Sequence, residues 1–159
     1  MPRKGKIETR QTISDPVFAS KHISKLINMV MMSGKKTIAR KHIYDALESI
    51  GKKTKKDPME VFNQALDNIR PELEVRSRRI GGAAYQVPMP VRSKRKDSLS
   101  LRWLVEESRK RPNSSFRTFS EKIAAEIMDA AKGEGGAVSK RREMEKAAEA
   151  NKAFAHLRW

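Results

Sequence analysis

Arg76, Arg78 and Arg79 crowd four positions of the stretch RSRRIGGAAYQVP, residues 76–88. A guanidinium is planar and permanently charged, so it bonds phosphate through two parallel N–H donors and stacks on bases. Tyr85, a few residues on, adds an aromatic surface on which a base can stack. Around these groups the chain alternates as a strand does: Leu73, Val75, Ser77 and Arg79 face one way, and Glu74, Arg76, Arg78 and Ile80 the other. Gly81-Gly82 permits the positive φ angles of a tight reversal, and Tyr85, Val87, Met89 and Val91 share a face beyond it. Pro88 and Pro90 have no backbone donor, which keeps the second strand out of the middle of a sheet. The spacing therefore predicts a cationic two-stranded arm over about residues 72–91. It also predicts that deleting about residues 74–88 removes few core side chains.

The other residues capable of chemistry are better explained without catalysis. His22, His42 and His156 are scattered, with no Ser, Cys or carboxylate at triad spacing, and read as polar surface residues. Asp57 and Glu60 fit a helix N-terminus, with Pro58 in the first turn. Glu72 and Glu74 stand among arginines and suit ion pairs rather than acid–base work. GEGGAVSK shares only its glycines with a phosphate loop, lacking the G-x-x-x-x-G-K-[ST] spacing, so its glycines separate two helices. Met29, Met31 and Met32 read as packing. No enzyme signature, cofactor or metal site is expected.

The whole chain carries +16, and that charge is not spread evenly. Residues 1–56 hold +10, 57–90 hold −1, 91–111 hold +5 and 112–159 hold +2. Such clustering favours a face for a polyanion over a merely solvated surface. The +5 segment contributes Arg92, Lys94, Arg95, Lys96, Arg102, Arg109, Lys110 and Arg111 as RNA-facing cations. The chain has no cysteine, so disulfides and Cys-ligated zinc or iron–sulfur sites are excluded. It has no bilayer-length apolar run and MPRKGKIETRQ has no apolar signal region, so a cytoplasmic location is expected. Two rival classes are a DNA-binding or histone-like architectural protein and an RNA-processing enzyme. Neither a helix-turn-helix or zinc module nor a catalytic cluster supports them.

The elements that hold this chemistry are mostly helical. Residues 1–12 read as a disordered basic arm. A first helix, announced by Asp15-Pro16, carries Ile23, Leu26, Ile27, Val30 and Met31 at helical spacing and stops at Gly34. A second buries Ala39, Ile43, Ala46, Leu47 and Ile50 and stops at Gly51, before a flexible KKTKK. A third, capped by Asp57 in a capping box with Glu60, buries Phe62, Ala65, Leu66 and Ile69 and ends at Pro71. After the hairpin, a fourth carries Leu101, Leu104 and Val105 with Trp103 beside them. A fifth, capped by Ser114 or Ser115, points Phe116, Phe119, Ile123 and Ile127 inward. A sixth helix and tail occupy 138–159. The expected fold is mainly α: a single domain over 1–159, built as a six-helix bundle with one β-hairpin arm.

DPVFASKHISKLINMVMMSGKKTIARKHIYDAL, RSRRIGGAAYQVP, LRWLVEESRKR and the ending AEANKAFAHLRW also resemble, in matching order along the chain, the family of ribosomal protein seven of the bacterial small subunit. That resemblance implies a six-helix bundle with an extended hairpin. It implies a structural component of the small ribosomal subunit that binds the 3′ major domain of small-subunit rRNA and nucleates assembly of the head. Its place would be near exit-site tRNA and the mRNA exit path, beside small-subunit proteins nine and eleven. In some bacteria the family also represses its own operon mRNA. Carried over by motif, Lys35, Lys36, Arg76, Arg78 and Arg79 touch rRNA, as does the basic arm Arg3, Lys4, Lys6 and Arg10. Gly81, Gly82, Ala83, Ala84, Tyr85, Arg142 and Lys146 lie near tRNA and mRNA. Leu157 stands where many relatives have tyrosine.

Overall fold

A computed structural model describes Gly5 and residues 12–158. It contains α1 (Lys21–Val30), α2 (Lys36–Thr54), α3 (Pro58–Ile69), β1 (Leu73–Ile80), β2 (Ala83–Pro90), α4 (Ser93–Lys110), α5 (Phe119–Ala131) and α6 (Gly136–Ala150), then a 3₁₀ segment, Lys152–Leu157. The mainly helical fold with one antiparallel hairpin is as the sequence predicts. The N-terminal arm and Trp159 lie outside the described residues.

The apolar stripes read from the sequence form one core. Ile23, Leu26, Ile27, Val30, Ala39, Ile43, Ala46, Leu47, Ile50, Phe62, Ala65, Leu66, Ile69, Leu101, Leu104, Val105, Ile123 and Ile127 are all buried. α5 runs through the middle, packed against α2, α3 and α4. Ala124 and Ala130 on α5 are fully buried, and their small side chains let neighbouring helices come close.

Several boundaries differ from the pattern, each for a local reason. Asp15 does not cap α1. It is buried in a turn, where its carboxylate accepts from the N–H groups of Val17 and Phe18 and from the Tyr44 hydroxyl at 2.8 Å. α1 ends at Val30 with Met31 as its cap, and Gly34 lies in the link to α2. α2 runs through Gly51 to Thr54 and stops at Lys55, whose left-handed φ of 55° closes the helix by an N–H to the Gly51 carbonyl. Gly51 is needed for a different reason: a Cβ there would meet Pro58 Cγ at 3.1 Å, where α3 begins. Asp57 does cap α3, accepting from Met59 N–H. The reciprocal capping box forms instead at α5, where Thr118 and Glu121 each accept from the other's backbone N–H, so Ser114 and Ser115 are not the cap. Phe116 lies ahead of α5, its ring 5.5 Å from the Arg111 guanidinium. α6 begins at Gly136 rather than Val138.

The hairpin is a protruding arm only toward its tip. β1 and β2 pair antiparallel in the register Glu74 to Met89, Arg76 to Val87, Ser77 to Gln86 and Arg78 to Tyr85. Gly81 and Gly82 take φ of 56° and 89°, as the two-residue reversal requires. At the base, however, Glu74, Val87 and Pro88 are buried, and Val91 N–H donates to the Glu72 carbonyl. Tyr85 packs on Phe154 of the 3₁₀ segment, ring centroids 5.4 Å apart. A deletion of 74–88 would remove few core side chains, as alternation implies, Val87 being the buried hydrophobic among them, but it would also remove the buried Glu74 and its two ion pairs, which alternation does not disclose. Pairing parity could not reveal which of two mixed faces the helices cover.

Candidate nucleic-acid interface

α4 carries its cations at a spacing that makes a line. Arg95, Arg102 and Arg109 stand seven residues apart, two helical turns, so each falls nearly above the last, with a drift of about 20° per step. At 1.5 Å per residue the line is about 21 Å long. All three are exposed.

Each end of the line is fixed to another cationic element. Arg95 Nε donates to Glu74 Oε2 at 2.5 Å, and Arg76 Nε donates to Glu74 Oε1 at 2.6 Å. One buried carboxylate thus holds an arginine of the hairpin beside an arginine of α4. Burial alone would raise the Glu74 pKa, but the bonds from Arg95 and Arg76 outweigh it and hold the carboxyl below its ordinary value. At the other end Arg109 Nη2 donates to the Val30 carbonyl at 3.4 Å, where α1 gives way to the turn bearing Lys35 and Lys36. α1 and α4 run parallel between these points, joined near their starts by His22 Nε2 and Asp97 Oδ2 at 3.3 Å. Asp97 also takes Arg70 at 2.9 Å. Burial of Asp97 opposes its ionisation, yet His22 and Arg70 together keep its pKa low.

The structure therefore brings together Lys35, Lys36, Arg76, Arg95, Arg102 and Arg109 along one path from hairpin to α1–α2 turn. Arg92 is the α4 N-cap, and Lys94 and Lys96 lie in its first turns. Among the described residues, no carboxylate lies within 4 Å of Lys35, Lys36, Arg79, Arg92, Lys94, Lys96, Arg102 or Arg109. Arg78 is half-buried opposite Tyr85.

Two of the expected cations are otherwise engaged. Lys110 donates to Glu107 at 2.6 Å, and that bond raises its pKa against an opposing desolvation. Arg111, with a side chain 18% exposed, bonds Glu126 and Asp129 at 2.6 and 2.5 Å. Burial disfavours its charge, and the two carboxylates more than restore it. Arg111 thereby ties the end of α4 to α5. Glu126 also accepts from Ala137 N–H at 2.9 Å, so a protein carboxylate already occupies the N-terminus of α6 where a phosphate loop would place its ligand.

Gly81–Ala84 are exposed at the hairpin tip, and Tyr85 is half-buried against Phe154. Arg142 donates to the Gly133 carbonyl at the α5–α6 turn, and Lys146 is exposed on α6. Arg3, Lys4, Lys6 and Arg10 lie outside the described residues. His22 and His42 are half-buried contacts rather than surface residues; His42 meets the Phe119 ring edge-on at 6.1 Å. The residue that the sequence reading left without its full role is Glu74. It was legible as an ion-pairing acid among arginines, but its second partner is twenty-one positions away. The seven-residue repeat on α4 was in plain sight in the sequence. Among the described residues no cluster of His, Asp and Glu could hold a metal, and no helix is long and apolar enough to cross a membrane.

Comparison with known proteins bears directly on this cationic surface. The family model for Ribosomal protein S7p/S5e matches residues 2–152. The small ribosomal subunit protein uS7 of Thermoanaerobacter sp. (strain X514) is 57% identical over 159 residues, covering all of both chains. Those of Mycoplasma mobile and Moorella thermoacetica are 55% and 53% identical over the same full length. With a match across nearly the whole chain and full-length identity above half, this chain belongs to the ribosomal protein S7p/S5e family.

Proposed function

We propose that this chain, a structural and non-enzymatic component of the small ribosomal subunit in the cytoplasm, grips small-subunit rRNA along the line from hairpin to α1–α2 turn. The observation that carries the reading is the arginine repeat at 95, 102 and 109, anchored at one end to Arg76 through Glu74 and ending at the other beside Lys35. A rigid helix holding cations about 10.5 Å apart presents fixed points to an RNA backbone rather than a diffuse charge. The RNA is the 3′ major domain, and early binding there nucleates the head. Gly81 to Tyr85, with Arg142 and Lys146, face exit-site tRNA and the outgoing mRNA. Proteins nine and eleven of the small subunit are its neighbours, and its own operon mRNA is a further ligand. Family membership and the position of the hairpin tip support these finer assignments.

Arg102 gives the cleanest test, because it is exposed and has no acidic partner among the described residues. Arg102→Ala should leave the melt unchanged and weaken binding to a 3′ major-domain rRNA fragment. A charge-assisted contact of this kind is worth about 1.5–3 kcal/mol when shielded and less when exposed, so a loss of about fivefold is the scale. Wild-type affinity and footprint in that variant would rule out the α4 line as the gripping surface.

A further inference from the structure

Beside the end of the arginine line lies a groove of about 320 Å³ that the charge argument does not use. Met32 is 68% exposed and Ile38 52% exposed, two of the five large apolar side chains left exposed among the described residues. One such residue alone would need no explanation. These two flank the same groove, and its lining also includes Phe119 and His42, whose rings meet edge to face at 82°. Lys35 and Arg109 also line it, and neither has a carboxylate within 4 Å among the described residues.

We propose that the groove receives one unstacked base of the bound RNA, with the adjoining phosphate on Lys35 and Arg109. Aliphatic and aromatic walls beside paired cations match a nucleotide, which is flat and apolar on its faces and anionic at its backbone. The chain's own N-terminal segment suits the site poorly, because residues 1–11 carry four cations and one acid toward a cationic rim. An acidic amphipathic helix would share the charge pattern. The α4 line, however, leads RNA to this point, and the groove continues that surface. The inference rests on the RNA-gripping reading above and adds to it a contact that is apolar rather than ionic.

That difference gives the experiment its readout. Met32→Ser and Ile38→Ser change exposed positions, so both should fold and melt as the wild type does. Each should weaken binding to the 3′ major-domain rRNA fragment by about tenfold, the scale of a lost stacking contact. The slope of log K against log salt should stay the same, because no phosphate contact is removed. Scanning the fragment with single abasic sites should find one nucleotide whose loss matches the Ile38→Ser effect and does not add to it. Normal binding by both variants would overturn the groove, and so would a loss accompanied by a changed salt slope. Normal fragment binding with failed assembly of reconstituted subunits would show a protein occupant instead, and also overturn it. If Arg102→Ala weakens binding while the two serine variants do not, only the groove fails and the gripping line stands.

Discussion

Glu74 shows how one residue can join two elements whose cations would otherwise repel each other. Its side chain is 3% exposed, yet it is ionised, because Arg95 and Arg76 hold its pKa down against the cost of burial. A carboxyl lowered in the folded state contributes stability that is present above its ordinary value of 4.5 and is lost as pH falls through the lower folded value. Asp97 acts in the same direction from its ordinary 3.8. The melting temperature should therefore fall as pH drops below about 5, and go on falling until the folded carboxyls take up protons as well. Glu74→Gln should lower the melt near pH 7 by about 1–3 kcal/mol of stability, the cost of weakening a buried charged hydrogen bond. Its acid-induced drop should then be shallower than the wild type's. Parallel pH curves for the two proteins would show that Glu74 is not the titrating contact. At this scale the sequence disclosed residue types but not partners. Glu74 beside Arg76 was legible from alternation on one strand, whereas Arg95 reaches the same carboxylate only because β2 returns the chain to the start of α4.

Element by element, the sequence was most informative where a single periodic stripe met a single core. The apolar faces of α1, α2 and α3 are buried as their spacing implies, because no other packing could cover them. Boundaries were less legible, since a glycine marks a helix end only when no neighbouring backbone or ring needs its missing side chain. Gly51 stays within α2 to admit Pro58, and Lys55 takes the left-handed cap instead. The hairpin gave the largest difference, because both faces mix charged and apolar residues, and alternation cannot say which is covered. The structure divides it into an embedded base, with Glu74, Val87 and Pro88 buried, and a tip that starts near Arg78. Arg76 and Val87 are direct partners on the same kind of hydrogen-bonded rung as Ile80 and Ala83, so replacing residues 77–86 with Asn-Gly should close a shorter hairpin without strain. That variant should keep the helical circular dichroism and most of the melting temperature, while losing the Tyr85–Phe154 contact. Deleting 74–88 should lower the melt sharply and broaden it. Equal melts for the two deletions would mean that the base contributes nothing to the core.

Across the molecule the decisive quantity is how many cations remain to meet RNA once internal pairs are formed. Net charge overstates it, because Arg111 and Lys110 are met by Glu126, Asp129 and Glu107. Lys35, Lys36, Arg79, Arg92, Lys94, Lys96, Arg102 and Arg109 remain without a carboxylate partner among the described residues. If about 6–10 of the chain's cations neutralise phosphates, affinity should fall by roughly 10³–10⁵ between 50 and 200 mM salt, taking the scale from DNA. Two arginines nine residues apart on α4 and just beyond it then separate charge that binds from charge that builds. Arg102→Ala should reduce the magnitude of the salt slope by about 0.7–0.9, one phosphate contact, and leave the melt where it was. Arg111→Ala should do the reverse. Glu126 is 2% exposed, so removing Arg111 strands a buried carboxylate, which costs about 3–5 kcal/mol when no other partner reaches it. Ala137 N–H still reaches Glu126, so the loss should fall toward the lower end, with the salt slope of the surviving folded protein unchanged. The measurement is a pair of salt titrations with the rRNA fragment beside two thermal melts. A flat salt response in the wild type would sink the electrostatic account of the whole surface. A slope change in Arg111→Ala equal to that in Arg102→Ala would mean that the Glu126 and Asp129 pairs open when RNA binds, and that the end of α4 is part of the grip.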